Sequence, residues 1–264
     1  MIWQLLIGFV LVLLFSAFYG YWKFNHAVDM EKEAFLHSKG KKEEQIVLRD
    51  LDHLPALMQE YLKKVGVLGK CRDCHIVFKQ SGRIRSGPKK RWTHFSATQY
   101  MTAEPAGFLW SAQTFPIFVR DKSIEGRGEV KLSFMGLKNL EVFSGPETDQ
   151  SALARCLGEY IFYPVGFLNK AISWQEIDEH QLKVKMTYKN TTVEGVFRFD
   201  EHGLLQRFRT QRYKGDKLTD FTGLAEDYKL IQGYYVPTRM RAIWNLAEGD
   251  FEYFNCNITD YRIE

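Results

Sequence analysis

"GVFRFDEHGLLQRFRTQRY", residues 195–213, sets two runs of alternating character on either side of the turn signal Asp200-Glu201-His202-Gly203. A connection this short joins antiparallel neighbours, so the stretch reads as a β-hairpin. The same period of two recurs outward in both directions. Ile76 and Phe78 alternate with their neighbours; Val130, Leu132 and Phe134 stand against Glu129, Lys131 and Ser133; Leu182, Val184 and Met186 stand against Lys183 and Lys185. Such alternation marks strands with one buried face. Further turn signals fall at SGP (86–88) and QG (232–233).

One helix precedes the strands and a second divides them. Leu54, Leu57, Met58, Tyr61 and Leu62 recur at three-and-four spacing up to Gly66, with Pro55 suited to a first turn and Asp50 or Asp52 as capping carboxylate. In GPETDQSALARCLGEYIFYP (145–164), Pro and acids open a helix whose Leu153, Cys156, Leu157, Tyr160 and Ile161 share one face, which makes Cys156 a core residue. Roughly ten strands in one antiparallel sheet are too many to stay flat, so the sheet should coil into a half-barrel covered by a helix. The expected class is α+β, β-rich, with two to three helices and a single globular domain over 50–264. No internal repeat or Pro-rich or Gly-rich linker divides that span.

The chain has 264 residues, 45% hydrophobic and 26% charged, an ordinary globular composition. Its net charge of +4, from 36 basic and 32 acidic side chains without a like-charge block, gives no footprint for nucleic acid. An aromatic share of 15% suits strands and large apolar cores or cavities. Four cysteines, at 71, 74, 156 and 256, are too few for a disulfide framework.

Residues 2–22, IWQLLIGFVLVLLFSAFYGYW, carry no charge, and at 1.5 Å per residue they reach across roughly 30 Å of hydrocarbon. They read as a single transmembrane helix that touches the lipid bilayer. A cleaved signal peptide fits less well, because no Lys or Arg precedes the apolar run and no small-x-small site follows it. Trp3, Tyr19, Tyr21 and Trp22 suit the two interfaces. Residues 23–49 read as a juxtamembrane helix or linker, whose lysines, including those of GKKEE (40–44), could touch anionic lipid. Lys23, Lys32, Lys39, Lys41 and Lys42 all follow the apolar run, and this asymmetry favours a cytoplasmic domain.

Taken in order, the blocks RWTHFSATQYMTAEPAGFLWSA, GPETDQSALARCLGEYIFYP, GVFRFDEHGLLQRFRTQRY and YYVPTRMRAIWNLAEGDFEYF resemble an uncharacterised bacterial family of single-pass or secreted proteins of unknown function. The resemblance spans residues 50–264 and implies no activity. In architecture, a coiled sheet with a D-E-x-G hairpin is similar to periplasmic lipoprotein carriers, whose half-barrels hold acyl chains. That similarity implies a fold, and function needs a site of its own.

Candidate chemistry is sparse. Cys71-Arg72-Asp73-Cys74-His75 has the C-x-x-C-H spelling of covalent haem attachment, and the cysteine pair has zinc-ligand spacing without a second pair. In strand geometry the two thiols would diverge, which favours a coincidence at a strand edge. No cofactor is implied elsewhere. Glu147, Asp149 and Glu159 are candidate acid–base groups, although Glu147 and Asp149 are two residues apart and fit a first-turn cap. Arg155 and Glu159, four apart, suggest a surface or groove-edge ion pair.

Arg207, Arg209, Gln211 and Tyr213 line one face of a strand, with Arg239 and Arg241 from another, and could meet a phosphate or carboxylate head group. Pairing with opposite acids is the plainer reading. Trp92, Phe95, Gln99, Trp110, Phe115, Trp174 and Trp244 supply bulky apolar surface with polar handles, suited to a core or a lipid-sized pocket. The leading expectation is a membrane-anchored protein that binds a hydrophobic, lipid-like ligand. A tethered hydrolase using the helix carboxylates and a partner-binding module are the alternatives.

Overall fold

The computed structural model describes residues 1–36 and 44–264. Thirteen antiparallel strands form one sheet: β1 (His75–Ile84), β2 (Thr93–Thr102), β3 (Gly107–Thr114), β4 (Ile117–Ile124), β5 (Arg127–Phe134), β6 (Lys138–Ser144), β7 (Ile172–Asp178), β8 (Gln181–Tyr188), β9 (Thr191–Phe199), β10 (Leu205–Lys214), β11 (Lys217–Ile231), β12 (Tyr234–Leu246) and β13 (Gly249–Ile263). Their spatial order is β6-β5-β4-β3-β2-β1-β13-β12-β11-β10-β9-β8-β7. The chain therefore makes two meanders that meet where β1 pairs with β13, and the sheet coils into a half-barrel. The sheet has more strands than the periodicity reading expects. β6 shows one reason, since all seven of its residues are exposed and no inside–outside alternation marks it.

Among the described residues three α-helices accompany the sheet: α1 (Ile2–Leu36), α2 (Ala56–Lys64) and α3 (Pro146–Glu159). α3 links the two sheet edges, β6 and β7, and packs on the concave face against β5, β9 and β10. Pro146 occupies its first turn, and Glu147 and Asp149 place negative charge at its positive end. Asp149 Oδ1 also accepts the Gly128 N–H at 2.6 Å, which ties the helix start to β5. Ala152, Leu153, Cys156 and Leu157 are buried. Burial pushes the Cys156 thiol up to about 12, which suits an inert core residue. Close packing depends on Gly158, where a Cβ would stand 2.5 Å from Phe208 Cδ1.

α2 buries Met58, Tyr61 and Leu62, with Pro55 at its N-cap. Asp50 does not cap this helix as the spacing suggested. Its Oδ2 accepts the Val47 N–H at 2.8 Å and so holds the 3₁₀ turn at Leu48–Leu51.

α1 continues well past residue 22. Residues 2–19 are exposed apart from half-buried Ser16 and Ala17, and the helix is long and apolar enough to cross a membrane. Its second half lies on the convex face, where Phe24, Val28 and Phe35 pack with Leu109 and Phe118. Arg120 binds both Glu31 and Glu129, and Lys122 Nζ sits 3.4 Å from Glu31 Oε2. Residues 23–36 are thus a helical brace on the sheet. Most of GKKEE, residues 40–43, lies outside the described residues, as do Lys39, Lys41 and Lys42.

Candidate functional site

Alternation within each strand sends one side chain in two into the half-barrel. In β3 these are Phe108 and Trp110; in β4, Val119 and Asp121; in β5, Val130 and Leu132. Phe208 and Arg212 of β10, Phe221 of β11 and Phe254 of β13 complete the opposite wall. Between these walls and α3 lies a cavity of about 290 Å³.

A polar cluster sits beside that apolar space. Arg155 projects from α3 and gives Nε–H to Glu159 Oε1 at 2.9 Å, Nη1–H to Asp121 Oδ2 at 2.6 Å and Nη2–H to Gln99 Oε1 at 3.0 Å. Gln99 Nε2 in turn donates to Glu159 Oε2 at 2.6 Å. The guanidinium carbon lies 4.4 Å from the Phe108 ring centroid and 5.3 Å from that of Trp110, whose Nε1–H donates to Gln80 Oε1 at 2.7 Å. A guanidinium has five N–H donors, so two remain beyond these three bonds.

Burial acts against the charges of Arg155 and Asp121. For Arg155 it opposes protonation, but the Glu159 and Asp121 carboxylates outweigh it and hold the pKa above its ordinary value. For Asp121 burial wins over the attraction of Arg155 and Arg212, and the carboxyl is raised above its ordinary value.

The structure brings together Gln99, Trp110, Arg155 and Glu159 among the candidates from the sequence. The expected Arg155–Glu159 pair forms and borders the cavity, but it is not a surface pair, since the two side chains are only 12% and 7% exposed. α3 gathers them inward because the sheet curls around it. Glu147 is exposed and Asp149 serves the helix start, both more than two turns from Glu159, so the three carboxylates do not converge.

The arginine row also divides. Arg207 touches the cavity lining, whereas Arg209, Gln211 and Tyr213 do not. Gln211 Nε2 instead donates to Asp220 Oδ1 at 2.9 Å. Arg239 and Arg241 pair with Glu226 and Glu252. The guanidinium that reaches the cavity from the strand's other parity is Arg212, 4.7 Å from the Phe221 centroid and 5.9 Å from that of Trp244. Arg207 and Arg212 each keep a buried Nε without a hydrogen-bond partner among the described residues.

Among the aromatic candidates, Phe95 and Trp244 are buried and Trp174 packs on Phe167 and Phe197. Phe115 instead stands on a turn, 76% exposed, and Trp92 lies in the β1–β2 loop. Asp121, Gln80 and Arg212 escaped the sequence reading. The signal for Asp121 was its place two residues after Val119 in an alternating strand, and for Arg212 its shared parity with Phe208.

Cys71 and Cys74 form a disulfide with Cα atoms 5.5 Å apart, which corrects the expectation that they diverge. They precede β1 in a bend, with Cys71 bridged to Gln45, so strand geometry does not yet hold there. His75 Nε2 lies 3.5 Å from Glu264 Oε2, and the Tyr163 hydroxyl donates to the Cys74 carbonyl.

Among solved structures, the chain is similar to a LolA superfamily protein from Nitrosomonas europaea, at 11% identity and a TM-score of 0.46, covering 78% of this chain and 93% of that one. It is also similar to a putative outer membrane lipoprotein-sorting protein domain from Vibrio parahaemolyticus, at 15% identity and a TM-score of 0.47, covering 79% of this chain and 91% of that one. No curated protein matches the chain. The model of a family of unknown function, DUF6544, matches residues 44–256, and the chain belongs to that family.

Proposed function

We propose that this is a membrane-anchored binding protein that holds a hydrophobic, lipid-like ligand with an anionic head in the concave cavity. The observation that carries the reading is an apolar-walled space of about 290 Å³ with Arg155 on one side and Arg212 on another. Ligand pockets combine mostly apolar walls with a few placed polar groups, and they usually span about 300–1,000 Å³. A volume just below that range suits one acyl chain rather than two. The two further N–H groups of Arg155 and the Arg212 guanidinium supply donors to the oxygens of a carboxylate or phosphate head. Gln99, Trp110 and Trp244 shape the surroundings, with Arg207 at the lining.

Exposed apolar residues 2–19 of α1 support anchoring in the bilayer. The Cys71–Cys74 disulfide supports a domain on the oxidising side, against the lysine asymmetry. A C-terminal phosphatase fusion would be active for that orientation and inactive for a cytoplasmic domain.

Native mass spectrometry of the full chain, released gently from membranes, tests the binding reading. The expected result is a retained mass in the range of a single-chain amphiphile. Leu132→Trp, which fills the cavity, should lose that mass while staying folded. A bare wild-type mass that also fails to take up added lysophospholipid would overturn the proposal.

A further inference from the structure

The antiparallel register puts the β1–β2 loop (85–92), the β3–β4 turn (115–116) and the β5–β6 turn (135–137) at one end of the sheet. That end is where α1 leaves the sheet. Gly20 and Gly136 meet backbone to backbone, leaving no room for a Cβ on either, and Lys23 Nζ donates to the Leu137 carbonyl at 3.3 Å. At the opposite end, Phe35 packs against Gly107. The helix therefore runs the length of the strands, and its exposed apolar part, residues 2–19, projects beyond the turns. Tyr19, Tyr21 and Trp22, the residues suited to a membrane interface, stand level with the Gly20–Gly136 contact.

Two features of this end fit a bilayer surface. Phe115 is 76% exposed and Phe134 43% exposed, beside the helix exit. The β1–β2 loop carries consecutive exposed Lys89, Lys90 and Arg91, and none of them has an ion-pair partner among the described residues. The loop is held in shape rather than loose: Arg85 lies 4.5 Å from the Trp92 ring, gives Nε–H to Glu252 O at 2.8 Å and Nη1–H to Pro88 O at 3.0 Å. Between residues 74 and 103 the chain has six Lys or Arg and no Asp or Glu; the acids the register brings to this end are Glu248 and Asp250 of the neighbouring β12–β13 turn.

We propose that this sheet end rests on the bilayer that α1 crosses, with Phe115 and Phe134 in the interfacial layer and Lys89, Lys90 and Arg91 against anionic phospholipid head groups. The proposal depends on the reading of α1 as an anchor. A basic cluster is attracted to an anionic surface, and the attraction fades within a Debye length of about 10 Å. The position of the cluster therefore matters as much as its charge. Ile84, the last residue of β1, and Leu132, two residues before Phe134, both line the cavity. A hydrophobic ligand could thus pass between bilayer and cavity at the seated end.

The test uses the full chain reconstituted in phosphatidylcholine vesicles containing phosphatidylglycerol and a lipid with a nitroxide head group. Cys71 and Cys74 are bonded and Cys156 and Cys256 are buried, so an introduced surface cysteine can be labelled alone. A bimane is placed on Phe115→Cys, on Tyr19→Cys in the anchor, and on Arg127→Cys at the opposite end of β5, about 23 Å from Phe134 at ~3.3 Å per residue. The expected result is strong quenching at 19 and 115 and little at 127. Quenching at 19 with 115 as bright as 127 overturns the seated end and leaves the anchor standing. A bright label at 19 overturns the anchor, and the seating with it. Converting Lys89, Lys90 and Arg91 together to Gln should weaken quenching at 115 in these vesicles and leave it unchanged in pure phosphatidylcholine. No weakening would overturn the assignment of anionic head groups.

Discussion

The two faces of β4 solve the burial of charge differently. On the convex side, Arg120 is clamped by Glu31 of α1 and Glu129 of β5, and those acids keep 26% and 28% of their side-chain surface. On the concave side, Arg155 is clamped by Asp121 and Glu159, which keep 16% and 7%. A buried Nε without a partner among the described residues does not separate the faces, since Arg120 has one as Arg207 and Arg212 do. What separates them is the space beside the charges. The crevice along α1 includes Lys23, Arg120, Lys131 and Asn139 in its lining, whereas the cavity under α3 is walled mainly by apolar and aromatic side chains. Paired charge on the convex side joins helix to sheet, and paired charge on the concave side borders a volume that a ligand can fill.

The largest test of that difference removes each arginine in turn. Arg155→Met would leave two buried carboxylates without their cation, at a cost of about 3–5 kcal/mol in equilibrium unfolding. Arg120→Met should cost roughly 1–3 kcal/mol, because Glu31 and Glu129 can turn toward water. Equal losses would mean that burial does not distinguish the two clusters.

Packing gives the next effect. Gly158→Val would drive a side chain into Phe208 and should cost about 1–3 kcal/mol. Gly136→Val should instead loosen α1 from the convex face, read as faster hydrogen exchange in residues 20–36 with ligand retention unchanged. If Gly136→Val also empties the cavity, the two faces are coupled more tightly than their separate contacts suggest.

A smaller effect concerns recognition alone. Arg212→Gln should weaken an amphiphile with an anionic head by about tenfold, or ~1.4 kcal/mol, and leave one with a neutral head unchanged. Equal weakening of both would assign Arg212 to the shape of the wall, through Phe221 and Trp244, rather than to charge.

Alternation made much of the fold legible. Leu182, Val184 and Met186 are buried where period two places them, and the curl of the sheet followed from its breadth. β6 was not legible, because an edge strand with no buried residue has no pattern to read. Most of the polar cluster was visible: Gln99, Trp110, Arg155 and Glu159 were candidates, yet their convergence depends on α3 crossing from one sheet edge to the other, a long-range fact. On β10 the alternation held, and the plainer reading with it: Gln211 turns to Asp220, while the guanidinium at the cavity comes from the other parity, with Phe208. The cysteine pair misled for a local reason, a bend where a strand was assumed.

The finest contrast lies in how two aspartates answer to pH. Asp50, at the domain's start, is held below its ordinary 3.8, chiefly by the Val47 N–H and further by Arg72 at 3.0 Å. Its stabilisation is complete above pH 3.8 and disappears as pH falls through its lowered folded value. Asp121 is raised above 3.8 by burial, so its contribution is complete below pH 3.8 and is lost as pH rises through its raised folded value. The cost of Asp50→Asn should therefore grow with rising pH across the first window, and the cost of Asp121→Asn should shrink across the second. Urea unfolding of wild type and both variants from about pH 2 to pH 7 separates the two slopes, since acid-linked stability appears as a pH-dependent midpoint. A cost of Asp121→Asn that grows with pH would show that Arg155 outweighs burial at that carboxyl. The concave cluster would then behave like an ordinary ion pair, and its contrast with the convex face would rest on cavity shape alone.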